Sequence, residues 1–146
     1  MTLVGKVDIL LPCAAMVLLT FVVWVKLYLD RVAEMRELRL DPQTVRNSVL
    51  GAGVLKRVEA ADNFKNLFEV PVLFYVLCAC LAASDQVTPF FVIAAWIFVA
   101  LRALHSTIHI TYNTVVHRFY AYAAGALLIF LMWAVFAARL LALRMS

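Results

Sequence analysis

No charged residue stands between Arg118 and Arg139, and that apolar run is one of four in the chain. About 20 consecutive apolar residues suffice for a helix to cross the hydrocarbon core of a bilayer. The runs predict four spanning helices over residues 9–29, 56–83, 88–112 and 117–143, within a single four-helix transmembrane domain covering residues 1–146. Lipid offers the backbone no hydrogen-bond partners, so the chain must satisfy its peptide groups internally. The expected fold class is therefore an all-α membrane protein, a four-transmembrane-helix bundle. Composition agrees: 66% of the 146 residues are hydrophobic, whereas a soluble domain is about half apolar.

The net charge of +4 does not point to nucleic acid. The basic residues cluster beside the apolar runs, where such bias sets membrane topology. The first connection carries Arg31, Arg36, Arg39, Arg46, Lys56 and Arg57, the third is bounded by Arg118, and the second holds no Lys or Arg. The positive-inside rule puts the first and third connections in the cytoplasm and both termini on the non-cytoplasmic side. The expected surroundings are membrane lipid. Within the first connection, DPQT at 41–44 reads as a break, and Gly51 and Gly53 loosen the approach to the second helix. Cys13, Cys78 and Cys80 lie in apolar runs without a CxxC pattern and read as small buried hydrophobes. The first apolar run is too long for a cleavable signal.

Residues 59–75, EAADNFKNLFEVPVLFY, pass from charged to apolar without interruption. A charge at membrane depth costs roughly 2.5–3.5 kcal/mol on insertion scales unless it is partnered or wet. On a helix, Glu59, Asp62, Asn63, Asn66 and Glu69 fall within an arc of about 120°. Such a stripe should face the bundle interior. Pro71 lacks an amide hydrogen and predicts a kink just after Glu69. On the third run Arg102, His105, Ser106, His109, Tyr112 and Asn113 share an arc of similar width. The fourth run opens with Arg118 and places Tyr122 one turn later. All three stripes lie toward the same end of the bundle and can converge on one polar pocket.

Arginines recognise carboxylate or phosphate, and Arg or Tyr can hold a thiolate or oxyanion. A carboxylate such as Glu69 binds an amine. The set suits a small zwitterionic ligand. The competing interpretation is a self-satisfied network in which Glu69–Arg102 and Asp62–Arg118 pairs lock the helices. His105 and His109, spaced i and i+4, could chelate a metal with Glu69. Without HExxH or a second histidine pair, no metal site is expected. Bis-histidine haem needs histidines on facing helices, and the remaining candidate, His117, lies near a helix end.

The order and spacing of these residues resemble bacterial-type members of the MAPEG family. These are small four-span proteins that include microsomal glutathione transferases and the leukotriene and prostaglandin-E synthases. The resemblance rests on Asn-x-x-Glu at Asn66–Glu69 followed by a proline, on Arg-x-x-His at Arg102–His105, on His109 one turn later, and on Arg118 with Tyr122 four residues on. Asp62 and Glu59 stand where the family often has arginines, and Phe119 where it often has a small hydroxyl residue. The resemblance implies a homotrimer in a bacterial inner membrane, with glutathione bound between neighbouring subunits at the cytoplasmic side. It implies catalytic roles for Arg118 and Tyr122, with Arg118 stabilising the thiolate. Asn66, Glu69, Arg102, His105, His109, Lys65 and Arg31 would then bind the peptide.

Two functions follow as expectations. One is a glutathione transferase or peroxidase that conjugates or reduces small hydrophobic electrophiles with a thiol. The other is a non-catalytic membrane scaffold or binding protein whose polar stripes are structural.

Overall fold

The computed structural model describes residues 5–41, 43 and 55–145. They form helices α1 (Lys6–Glu37), α2 (Glu59–Asn66), α3 (Val70–Ala83), α4 (Pro89–Ile110) and α5 (Val115–Met145). Taken as four segments, with α2 and α3 as one, each is long and apolar enough to cross a membrane. The protein is an all-α membrane protein built as a four-transmembrane-helix bundle.

The exposed surface supports that environment. On α1 the buried apolar residues Ile9, Met16 and Val23 recur every seventh position and pack inward. Val17, Leu18, Phe21 and Val22 on the remaining faces are all exposed. A helix apolar on every side is suited to lipid and would be unstable on the surface of a soluble domain. α5 repeats the pattern, with Ala121, Gly125, Ile129, Met132 and Phe136 buried along one face and Leu127 and Phe130 exposed.

Aromatic side chains build the centre of the core. Phe74 of α3 stacks on Phe98 of α4 at 4.7 Å between ring centroids. Phe91 of α4 meets the edge of Phe136 of α5 at 6.5 Å. Cys78 is buried within this cluster and Cys13 packs against it, and all three cysteines are free thiols.

Polar contacts fix which ends lie together. Lys6 Nζ is 2.9 Å from Asp85 in the α3–α4 turn, and Arg139 Nε donates to Gln86 Oε1 at 3.1 Å. The start of α1, the α3–α4 turn and the last part of α5 therefore share one end. At the other end Glu34 of α1 is buried and accepts the backbone N–H groups of Lys56 (2.6 Å) and Arg57 (3.1 Å). Beside it the Arg57 guanidinium pairs with Glu37 at 2.8 Å. α1 ends at Glu37, ahead of DPQT, where the Gln43 N–H donates to Asp41 Oδ1 at 2.9 Å. Pro42, Thr44, Arg46, Gly51 and Gly53 lie outside the described residues.

Where the sequence predicts one helix over 56–83, the chain forms two. Residues 67–69 leave the helix, and Glu69 has a non-helical backbone (φ −98°, ψ −103°). Pro71 explains the break: it cannot donate to the carbonyl of Leu67, and its ring crowds that carbonyl. Further along the chain Thr88 is extended and Pro89 opens α4, where a missing N–H costs nothing.

Candidate functional site

The break in the second segment decides which polar residues of the predicted stripe stay inside. Asn63 is fully buried, and Ser106 Oγ of α4 donates to its Oδ1 at 3.1 Å. Asn66 is half-buried at the end of α2. Glu69 loses the helical phase at the break and is exposed. Asp62 is exposed and pairs with Lys65 at 3.3 Å. Neither a Glu69–Arg102 nor an Asp62–Arg118 pair forms among the described residues, so the helices are not locked by the ion pairs the sequence suggested.

On α4 the helical part of the predicted face is almost completely enclosed: Arg102 is 1% exposed, His105 3%, Ser106 1% and His109 2%, whereas the helix ends at Ile110 and Tyr112, beyond it, is exposed. Arg102 Nη2 donates to the Tyr122 backbone oxygen of α5 at 2.9 Å. Its guanidinium carbon lies 4.9 Å from the Tyr122 ring centroid and 5.5 Å from that of Phe98. Gly125 makes room for it, because a Cβ there would stand 2.7 Å from Arg102 Nη2. Arg102 Nε and Nη1, His105 Nε2, His109 Nδ1 and Asn63 Nδ2 are buried without a hydrogen-bond partner among the described residues. Orphaned groups of this kind are rare in folded chains and call for water or a ligand.

The α4–α5 connection brings Arg118 back onto this face. Asn113 turns the chain with φ 48°, a conformation that asparagine tolerates better than most residues. Arg118 Nη1 donates to Asn113 Oδ1 at 2.7 Å and meets His109 Nε2 at 3.1 Å. A guanidinium only donates, so His109 Nε2 accepts and the proton of that imidazole sits on Nδ1. His105 Nδ1 lies 3.1 Å from the Arg118 carbonyl oxygen. That oxygen only accepts, so the His105 proton is on Nδ1 and its Nε2 keeps a free lone pair. No carboxylate pairs with Arg118 among the described residues.

A cleft of about 170 Å³ opens at this point, lined by Asn66, His105, Val115, Arg118, Phe119 and Tyr122. Of the nine residues singled out from the sequence, it brings together Asn66, His105, Arg118 and Tyr122. Arg102 and His109 stand behind the lining, in contact with Tyr122 and Arg118 respectively. Glu69, Lys65 and Arg31 are exposed and do not line it. Among the described residues no three His, Cys, Asp or Glu side chains gather as metal ligands.

Three participants were not among the residues singled out from the sequence. Val115 and Phe119, near the start of α5, wall the cleft with apolar side chains. Asn113 was read only as part of a stripe, and its role depends on a left-handed turn that its residue type hints at. A larger apolar groove of about 480 Å³ runs along α1, between Val17, Thr20, Phe21 and Trp24 and the Phe64–Tyr75 side of α2 and α3. It contains none of the polar site residues.

No curated protein and no solved structure matches the chain significantly. The family model described as MAPEG family matches residues 9–138. That span includes α2, α3 and α4 in full and all the residues lining the cleft. With most of its length matched, the chain belongs to the MAPEG family.

Proposed function

We propose that the protein is a membrane-embedded, thiol-dependent transferase or peroxidase, with Arg118 as the group that stabilises a thiolate. The observation that carries this reading is an arginine without an acidic partner among the described residues, lining a cleft with Asn66, His105 and Tyr122. A structural ion-pair network would have neutralised that charge. Family members generally use glutathione as substrate or cofactor, and its sulfur would supply the nucleophile.

The lining fits part of such a ligand. Arg118 offers a cation to an anionic sulfur, Tyr122 a phenol beside it, and Asn66 an amide for a peptide group. His105 Nε2, buried and with a free lone pair, can accept a proton from an amine or thiol. The size fits only in part. Ligand pockets usually measure about 300–1,000 Å³, whereas this cleft has about 170 Å³. We place the remainder of the ligand against a neighbouring subunit in a homotrimer, where exposed residues such as Arg31, Lys65 and Glu69 of an adjacent copy complete the site. Small hydrophobic electrophiles would arrive through lipid. The charge bias of the connections supports a cleft at the cytoplasmic face, with both termini on the opposite side, and a bacterial inner membrane suits the resemblance.

The test is the Arg118→Ala variant together with a thiol-dependent thermal shift. Glutathione should raise the melting temperature of the wild type. Arg118→Ala should lose thiol conjugation by about 100-fold or more, the usual effect of removing a charge-stabilising donor, while the oligomer persists in detergent. Loss of the oligomer in Arg118→Ala, with no thiol stabilising the wild type, would favour the scaffold function.

A further inference from the structure

We propose that His109 and Asn113 are positioning residues for Arg118. They form a pair of neutral acceptors that converge on one guanidinium nitrogen, aim the cation at the cleft and leave its charge free. This inference rests on the thiol-dependent function proposed above.

Three observations support it. First, both acceptors meet the same atom: Arg118 Nη1 is 2.7 Å from Asn113 Oδ1 and 3.1 Å from His109 Nε2. That nitrogen carries two N–H bonds, one for each acceptor. Nε and Nη2 make no hydrogen bond among the described residues, and Arg118 lines the cleft. Second, both acceptors are held in place by the fold. Asn113 sits in a left-handed turn with its own N–H donated to the Ile108 oxygen at 2.8 Å. His109 is 2% exposed on α4 and does not line the cleft, so it reaches a ligand only through Arg118. Third, both acceptors are uncharged. A carboxylate in either place would hold the side chain equally well, but it would compensate the positive charge that an anionic sulfur needs nearby.

The arrangement makes Arg118 sensitive to protonation of His109. An imidazolium has no lone pair to offer, and it would put a second cation 3.1 Å from Arg118. The charged and titratable groups around His109 are Arg118 on α5, Glu59 and Asp62 on α2, and His105 one turn earlier on α4, at 5.8 Å between ring centroids. Positioning is present while His109 is neutral and is lost as the pH falls through its titration.

The experiment uses the full chain in detergent with glutathione as the probe. The thiolate's ultraviolet absorbance is followed against pH. His109→Phe keeps a ring but no acceptor, and the bound thiolate at neutral pH should fall about tenfold, the weight of one charge-assisted hydrogen bond. His109→Gln offers an amide oxygen that does not titrate. It should recover part of the signal and flatten the acid side of the profile, which a merely structural histidine would not do. Asn113→Gly keeps the left-handed turn while removing the second acceptor, and should give an intermediate loss. A His109→Phe protein with the wild-type profile, or His109→Gln as impaired as His109→Phe, would overturn the proposal while leaving the thiol function standing. If His109→Phe does not fold, the His109→Gln profile and the Asn113→Gly loss decide: an unaltered acid limb in the former, or no loss in the latter, overturns the proposal. If the wild type forms no thiolate, the thiol function falls instead. Nitrogen NMR of the ligand-free protein then decides the contact: His109 protonated on Nδ1 and perturbed in Arg118→Ala supports it, and an Nε2-protonated ring refutes it.

Discussion

At the scale of single residues, the most demanding position is Gly125. Alanine is ordinarily the better helix former by about 1 kcal/mol. Here its Cβ would stand 2.7 Å from Nη2, 3.2 Å from Nε and 3.3 Å from Cζ of Arg102. The guanidinium is enclosed and tied to the Tyr122 carbonyl oxygen, with the Phe98 and Tyr122 rings against it. Overpacking a filled interior costs about 1–3 kcal/mol. Gly125→Ala should therefore be destabilising on balance by up to about 2 kcal/mol, read as a lower thermal midpoint in detergent. An unchanged midpoint would mean that the guanidinium moves aside freely. Arg102 was legible in the sequence as an intramembrane cation needing a partner. Its partners were not legible, because a backbone oxygen and two ring faces leave no charge pattern to match. The contacts of His109 and Asn113 with Arg118 were hidden for the same reason: they run through neutral atoms, and charge pairing led instead to Asp62, which the structure gives to Lys65.

At the scale of elements, hydropathy located the four spanning segments because a bilayer permits few alternatives to a helix of sufficient length. What it could not give was the phase of Glu69. A continuous helix puts Glu69 on the same face as Asn66, whereas the break at 67–69 takes it outward. Pro71 was visible, but whether a proline bends a helix or interrupts it depends on tertiary packing. Pro71→Ala restores a donor for the Leu67 carbonyl and should extend helix through residues 67–69. Hydrogen exchange across those amides should slow, and the rotation this forces on Asn66 should weaken glutathione affinity severalfold. Unchanged exchange would show that packing, and not the proline, holds the break. The opposite junction depends on Glu34, which accepts two backbone N–H groups where the chain returns toward α2. Leaving those donors without a partner costs about 1–3 kcal/mol. Glu34→Ala should expose the Arg57 peptide bond, measured as faster tryptic cleavage there, with little effect on the α4–α5 end.

At the scale of the whole molecule, the cleft is too small for a tripeptide, and Arg31 is exposed on α1, which packs on α2, α3 and α4. If neighbouring copies complete the site, Arg118 and Arg31 of one site come from different subunits. A closed ring of identical subunits brings the same two patches together at every interface. Arg118→Ala and Arg31→Ala should then each impair a homogeneous protein, by loss of thiolate stabilisation in the first and of glutathione affinity in the second. Co-expressed in equal amounts, they should restore activity at the interfaces where an intact Arg118 faces an intact Arg31. For random assembly that is about a quarter of all sites. Differently tagged copies purified in tandem would isolate the mixed assemblies for assay. If both arginines instead serve a cleft within one protomer, every copy in the mixture carries one lesion and no activity returns. Complementation thus reports a shared site directly, whatever electrophile is used as substrate.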